Sequence, residues 1–419
     1  MKTMTLLVLS ALWLAGTARV HAQAQDPWEA PAPLKYRTVT LPPLPLKTTG
    51  RWIVDASGAR FKLAGVNWYG AEERDHVVAG LEYRPVDQIA RQIAALGFNV
   101  VRLPWSNELV EDDPVIDDRN LTANPQLKGK HALEVLDAVV DALGKANLLV
   151  VLDNHTSRAD WCCSDADGNG LWYTDKYPES KWLADWRTVA TRYRSRRHVI
   201  GADLRNELRS GANWGGGGPT DWRPAAERGA RAVLATAPDW LVFVEGPHYD
   251  TELHGAFSNP LSIPGHLVWE AHSYSWSLPG PWNYDVLHTE LGAVWGFLLL
   301  QNQRFTAPVW VGEFGTSHDP AGTDPQQHGG KWFNLFCRYL HDADIDWCYW
   351  AINGTQASGA TRRLGAEESF GILKKDWSTV ASDDLMRLLA GLQQPYQGPS
   401  GAPTRSRFDI LRLLGVRSR

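Results

Sequence analysis

Val199-Ile200-Gly201-Ala202-Asp203-Leu204-Arg205-Asn206-Glu207 opens as a short apolar run and ends on a carboxylate. Pro308-Val309-Trp310-Val311-Gly312 does the same, and Glu313 follows it 106 residues beyond Glu207. Short apolar runs rich in β-branched and aromatic residues read as strands buried on both faces. Six more runs of this kind flank the two: Phe61–Trp68, Asn99–Trp105, Leu148–Asn154, Leu241–Glu245, Leu267–His272 and Trp347–Ile352. Helical periodicity fills most of the gaps, as at Val86–Leu96, Ala132–Ala146, Lys181–Arg194, Arg223–Ala235 and Lys331–Leu340. Eight strands alternating with helices over residues 51–395 predict an α/β chain folded as one (β/α)8 TIM barrel. A doubly wound open sheet is the alternative. Gly65-Val66-Asn67-Trp68-Tyr69-Gly70, after the first strand, lacks the spacing of a phosphate-binding glycine loop.

The ends of the chain read differently. Met1-Lys2, the apolar stretch Thr5–Gly16 and Val20-His21-Ala22 have the order of a secretory signal over residues 1–22. That stretch is too short to span a bilayer, so an exported protein, extracellular or periplasmic, is expected. Residues 23–50, with Pro42-Pro43-Leu44-Pro45, read as a Pro-rich lead-in. Residues 396–419 carry five Arg and read as a basic tail with a short helix at Asp409–Leu414. The net charge is −5, or −7 without Lys2 and Arg19. This balance argues against nucleic acid or an anionic membrane as a partner. A monomer is expected, and the residues below point to a β-linked polysaccharide or oligosaccharide as its partner.

In a barrel, chemistry gathers at the C-terminal ends of the strands. There the sequence puts Asn67, Arg102, His155, Asn206-Glu207, His272 with Tyr274, Glu313 and Trp350. Two carboxylates on different strands suit cleavage of a glycosidic bond: one donates a proton to the leaving oxygen, the other attacks the anomeric carbon. The 21 Trp, against 12 Tyr, strengthen a carbohydrate reading, since indole faces stack on the C–H faces of sugar rings.

The segments Gly65–Gly70, Val101-Arg102-Leu103-Pro104-Trp105-Ser106, Leu204-Arg205-Asn206-Glu207, Ala271-His272-Ser273-Tyr274, Trp310–Thr316 and Gly371–Trp377 together resemble glycoside hydrolase family 5, especially its bacterial endo-β-1,4-glucanases. The resemblance implies a retaining hydrolase with Glu207 as acid/base and Glu313 as nucleophile. It implies that Arg102 and Tyr274 hydrogen-bond the nucleophile. His155, Asn206 and His272 would surround the sugar and the acid/base, and Trp350 would lie beneath the sugar at the point of cleavage. A cationic Arg and a Tyr hydroxyl would keep Glu313 ionised, and the charge of Glu313 would raise the pKa of Glu207. One departure stands out. The family usually has Pro after the acid/base, and this chain has Leu208-Arg209.

Weaker signals remain. Asp165-Ala166-Asp167-Gly168-Asn169-Gly170 matches the first half of a calcium loop, but Lys176 stands where the closing Glu belongs, so a polar turn is the expectation. Trp161, Trp172 and Tyr173 beside it are either sugar platforms or packing. Asp153-Asn154-His155 and His272 lack a hydrolytic metal pattern, and no Gly-x-Ser-x-Gly appears. No metal or other cofactor is expected. The spacing of Cys337 and Cys348 permits a bridge between them. The adjacent Cys162 and Cys163 form a vicinal disulfide or stay as thiols. The reading is a retaining glycosidase on cellulose-like β-glucans. Its rivals are a β-mannanase, a β-glucosidase on glycoconjugates, or a non-catalytic sugar-binding barrel.

Overall fold

In the computed structural model, which describes residues 35–278, 280, 282–318 and 329–395, eight parallel strands close into a barrel. They are β1 (Ala64–Asn67), β2 (Val100–Ser106), β3 (Leu149–Thr156), β4 (Val199–Asp203), β5 (Leu241–Val244), β6 (Leu267–Ser273), β7 (Val309–Phe314) and β8 (Asp346–Tyr349). Each pairs with its neighbour in sequence, and β8 returns to pair with β1. The intervening helices are α1 (Val86–Ala95), α2 (Ala132–Lys145), α3 (Glu179–Tyr193), α4 (Trp222–Leu234), α5 (His254–Ser258), α6 (Tyr284–Val294), α7 (Gly329–Asp342) and α8 (Asp383–Gly391). All eight expected strands are present, with shifted ends. The run read as Val199–Asn206 leaves the sheet at Asp203, so Glu207 lies four residues beyond β4.

Alternation along each strand sorts the core into two layers. Val101 and Leu103 pack outward with the helices, while Val100 packs into the barrel with Leu149, Val151, Ile200, Leu241, Phe243, Val268 and Trp310. Leu46 and Ile53 join this inner group from a small antiparallel hairpin, Lys47–Thr49 with Trp52–Val54. The hairpin caps the end where the strands begin, and it starts inside the segment read as an extended lead-in. Residues 1–34 and 396–419, with the signal, the first part of the lead-in and the Asp409–Leu414 helix, lie outside the described residues.

The same alternation corrects the expected Cys337–Cys348 bridge. Cys348 packs inside the barrel, whereas Trp347 and Tyr349 pack outside it. Cys337, on α7, belongs to the outer layer. The sheet runs between the two sulfurs, and both are free, buried thiols.

Candidate active site

Above the apolar plug, the inward positions turn polar. Arg102 on β2 reaches the barrel axis with no exposed surface. Its Nη1 donates to Glu313 Oε1 (2.8 Å) and Asn67 Oδ1 (3.1 Å). Its Nη2 donates to Asn206 Oδ1 (2.8 Å) and Glu245 Oε1 (3.1 Å). Nε and Nη2 both reach Asp203 Oδ2, at 2.9 and 2.6 Å. Asp153 lies 3.1 Å from Nη1 and Glu270 3.3 Å from Nε. Burial opposes the charge on Arg102, but Asp153, Asp203, Glu270 and Glu313 outweigh it and hold the guanidinium charged.

Five carboxylates share this one cation, and burial acts on the others. It pushes Asp153 up to about 6 and Asp203 up to about 7, against the pull of Arg102. Glu245, Asp250 and Glu270 are held well above the usual carboxylate range, again chiefly by burial. Gly312 on β7 is required here, because a Cβ would collide with the Glu270 carboxylate.

Glu313, near the end of β7, accepts on both of its oxygens. Besides Arg102, the Tyr274 hydroxyl donates to its Oε2 (3.0 Å). Burial raises the Tyr274 pKa well above its ordinary value, so the hydroxyl keeps its proton and stays a donor. Asn67 Nδ2 donates to the Gly312 carbonyl (2.9 Å) and pins the backbone next to Glu313.

Glu207 is held by backbone contacts. It adopts φ 42°, a left-handed conformation that costs energy for a residue with a side chain. Its N–H donates to Glu245 Oε2 (2.6 Å), and its carbonyl accepts from Arg209 Nη1 (2.7 Å). Arg209 also reaches the Ser164 carbonyl and Asp167 Oδ2, and Leu208 is fully buried. The Leu208-Arg209 pair thus ties the turn to the loop after β3. Burial pushes the Glu207 carboxyl up to about 7, against Arg209 and Arg102, and Asp167 adds to the rise. The expected cause was the charge of Glu313. Burial is the larger one.

His272 joins the two glutamates. Its Nδ1 lies 3.1 Å from Glu207 Oε1 and 3.7 Å from Glu313 Oε2. One oxygen of each carboxylate and a ring nitrogen of His272 all fall within 4.8 Å of one another. Burial brings His272 down to about 3 and holds His155 well below its ordinary value, so both rings are neutral at pH 7. His155 Nδ1 meets Asp153 Oδ2 at 2.6 Å. Trp350 follows β8 and lies parallel to both Tyr69 (5.1 Å) and His155 (5.5 Å).

Of the nine residues singled out in the sequence, His155, Asn206, Glu207, Tyr274, Glu313 and Trp350 line one cleft of about 670 Å³, while Arg102, His272 and Asn67 stand behind its wall, Arg102 against Glu313, His272 against Glu207 and Asn67 against Arg102. Trp161 also lines it, with Arg362 over its ring at 3.4 Å. Trp172 does not: it is buried and packs edge-on against Tyr173. The Asp165–Gly170 loop spends its oxygens on protein donors. Asp167 accepts from Arg209 and the Asn169 N–H, Asn169 Oδ1 from two backbone N–H groups, and Asp165 from the Tyr249 hydroxyl.

Sequence reading missed Glu245, Glu270 and Asp203, which sit at inward strand positions beside Arg102. Strand parity was the available signal for two of them: Glu245 falls two residues after Phe243 and Glu270 two after Val268, both inward apolar side chains, while Asp203 lies in register beside Phe243. It also missed Cys162 and Cys163 as cleft residues, and Trp276, which stacks on Tyr274 at 4.6 Å.

Comparison with known proteins is consistent with this arrangement. Residues 54–356 match the model of the cellulase family, glycosyl hydrolase family 5. An endoglucanase of Paenibacillus polymyxa is 34% identical over 355 residues, which cover 79% of this chain and 83% of that protein. The major extracellular endoglucanase of Xanthomonas campestris pv. campestris is 34% identical over 365 residues, 81% of this chain and 70% of its own. The solved catalytic domain of that endoglucanase superposes with TM-score 0.71 at 31% identity, covering 83% of this chain and 99% of the domain. An endocellulase of Pyrococcus horikoshii solved with cellotetraose gives 0.71 at 29% identity, covering 85% and 100%. The extent of these matches and the closed eight-stranded barrel lead to one conclusion: the chain belongs to glycoside hydrolase family 5, the cellulase family.

Proposed function

We propose that the protein is an exported, retaining glycoside hydrolase that cleaves β-1,4-glucosidic bonds in cellulose-like β-glucans, with Glu313 as nucleophile and Glu207 as acid/base. The observation that carries this reading is the asymmetry of two carboxyls bridged by His272. Glu313 accepts from a cation and a hydroxyl, which hold its carboxylate in place for attack. Glu207 is partly buried, and its desolvation pushes the carboxyl up to about 7, which favours its acid.

In the first step Glu207 protonates the leaving glycosidic oxygen while a Glu313 oxygen attacks the anomeric carbon from the other face. The C–O bond to the leaving sugar breaks, and a covalent glycosyl ester forms. In the second step Glu207, now ionised, takes a proton from water, whose oxygen displaces Glu313. Two inversions restore the β configuration. The oxygens within 4.8 Å of each other suit this route, since retaining pairs stand about 5–5.5 Å apart and inverting pairs about 6.5–9.5 Å. Trp350 would support the sugar, and Asn206, fixed by Arg102, would meet its hydroxyls.

Export rests on the N-terminal signal pattern and agrees with the extracellular name of the Xanthomonas relative. The β-1,4-glucan substrate is supported by the relatives' names and by cellotetraose in the Pyrococcus structure. Proton NMR of early products from soluble cellulose derivatives tests the proposal. The β-anomer should appear first. Initial α-anomer would sink double displacement, and turnover confined to mannan or to aryl glucosides would sink the substrate assignment.

A further inference from the structure

Cys162 and Cys163 lie on the wall of the cleft, with their sulfur atoms in contact and Cys163 partly open to solvent. The two sulfurs and a Glu207 oxygen fall within 4.8 Å of one another. Asn206 Nδ2 lies 3.5 Å from the sulfur of Cys162 and 3.7 Å from that of Cys163, so one amide donates toward both. Two sulfurs and a carboxylate are the donor set of a thiophilic cation with an open position for water. We propose that, when reduced, Cys162, Cys163 and Glu207 form a binding site for a thiophilic divalent cation such as Zn2+, and that the cation, once bound, blocks the cleft.

The charges support this. Two thiolates and one carboxylate carry three negative charges, of which Zn2+ would offset two, and the Arg209 guanidinium, hydrogen-bonded to the Glu207 carbonyl and paired with Asp167, lies beside the third. The amide of Asn206 stabilises the thiolates by hydrogen bonding. Bonded to each other, the sulfurs have no thiolate to offer, so the site is gated by redox state. A phosphine reductant breaks the S–S bond in a two-electron step. Two thiols form and the phosphine becomes its oxide, taking oxygen from water. Zn2+ then displaces the two thiol protons into the buffer. Metal binding needs no catalytic role for Glu207. Inhibition does, and it rests on the function proposed above.

The full chain, treated with a phosphine and then freed of it without oxygen, should take up one equivalent of Zn2+ in equilibrium dialysis. The untreated protein should take up none. A thiol reagent should titrate two cysteines in the reduced native protein, because Cys162 and Cys163 face the cleft whereas Cys337 and Cys348 have no exposed surface. Co2+ in place of Zn2+ should give a thiolate-to-cobalt charge-transfer band, a readout that needs no variant. The double variant Cys162→Ser/Cys163→Ser should lose the uptake, and Glu207→Gln should weaken it about tenfold or more. Uptake by the reduced protein no greater than by the double variant, or no charge-transfer band, would overturn the site. Undiminished affinity in Glu207→Gln would remove the carboxylate from it. Stoichiometric Zn2+ with unimpaired turnover on β-glucan would keep the metal site and sink the acid/base assignment of Glu207.

Discussion

At Arg102 one guanidinium faces five carboxylates, and of the two cleft glutamates it is Glu313 that it hydrogen-bonds, at 2.8 Å. Glu313→Ala should lower turnover by several orders of magnitude while the melting transition survives. Azide should then restore activity and leave an α-linked glycosyl azide, because a small anion fits where the carboxylate was. Near-normal activity without azide would remove Glu313 from the mechanism. Glu207 predicts a different pattern. An activated aryl glycoside expels a stable phenolate unaided, so Glu207→Ala should spare formation of the intermediate from it and nearly abolish attack on cellulose-like chains. Glycosylation needs the Glu207 proton, and its carboxyl is raised to about 7, so wild-type activity should fall as pH rises through about 7. The variant should lack that limb in a pH–rate profile. An intact limb would mean that another group supplies the proton.

At the scale of strands and loops, parity decides what sequence could tell. Arg102, His272 and Glu313 were legible because strand ends are where barrels keep chemistry. Cys337 and Cys348 were misread because a spacing of 11 says nothing about the face. The alternation Trp347, Cys348, Tyr349 carries that information, once the outer face is known from its aromatic partners. Glu245 and Glu270 were passed over because an acid inside an apolar run looks like a strand-end cap, and only the closed barrel turns both toward Arg102. The φ of Glu207 and the burial that raises its carboxyl come from the loop after β3 and could not be read locally. That loop makes its own prediction. Its Asp and Asn oxygens already accept from Arg209, Tyr249 and backbone N–H groups, so a chelator should shift the melting temperature by no more than about 2 °C. A large drop, reversed by calcium, would make the loop a metal site.

For the whole molecule, a barrel interior rich in acids links stability to pH. The unfolded chain releases its carboxyl protons near pH 4. The folded chain keeps them to about 6 at Asp153, about 7 at Asp203 and about 8 at Glu72. A raised carboxyl pKa means that the folded state binds the extra proton, so its stabilisation is full below the unfolded value and is lost as pH rises through the folded one. The melting temperature should therefore fall between about pH 5 and 8 in calorimetry. Glu72→Gln should flatten the fall, since its side-chain oxygen can still accept from the Gly70 N–H. A melting temperature that climbs steadily over this range would contradict the proton count.

Trp276 has an optical consequence. Among the described residues twelve tryptophans are fully buried, whereas Trp276 is 69% exposed and lies flat on Tyr274, whose hydroxyl touches Glu313. Dissolved iodide collides only with indoles that water can reach. Trp276, the most exposed tryptophan among the described residues, is therefore open to the quencher, and it stands at the rim of the cleft. An oligosaccharide that fills the cleft should shield that ring and flatten the iodide quenching curve. Occupancy could then be followed in real time on unlabelled protein, with Trp276→Phe as the dark control.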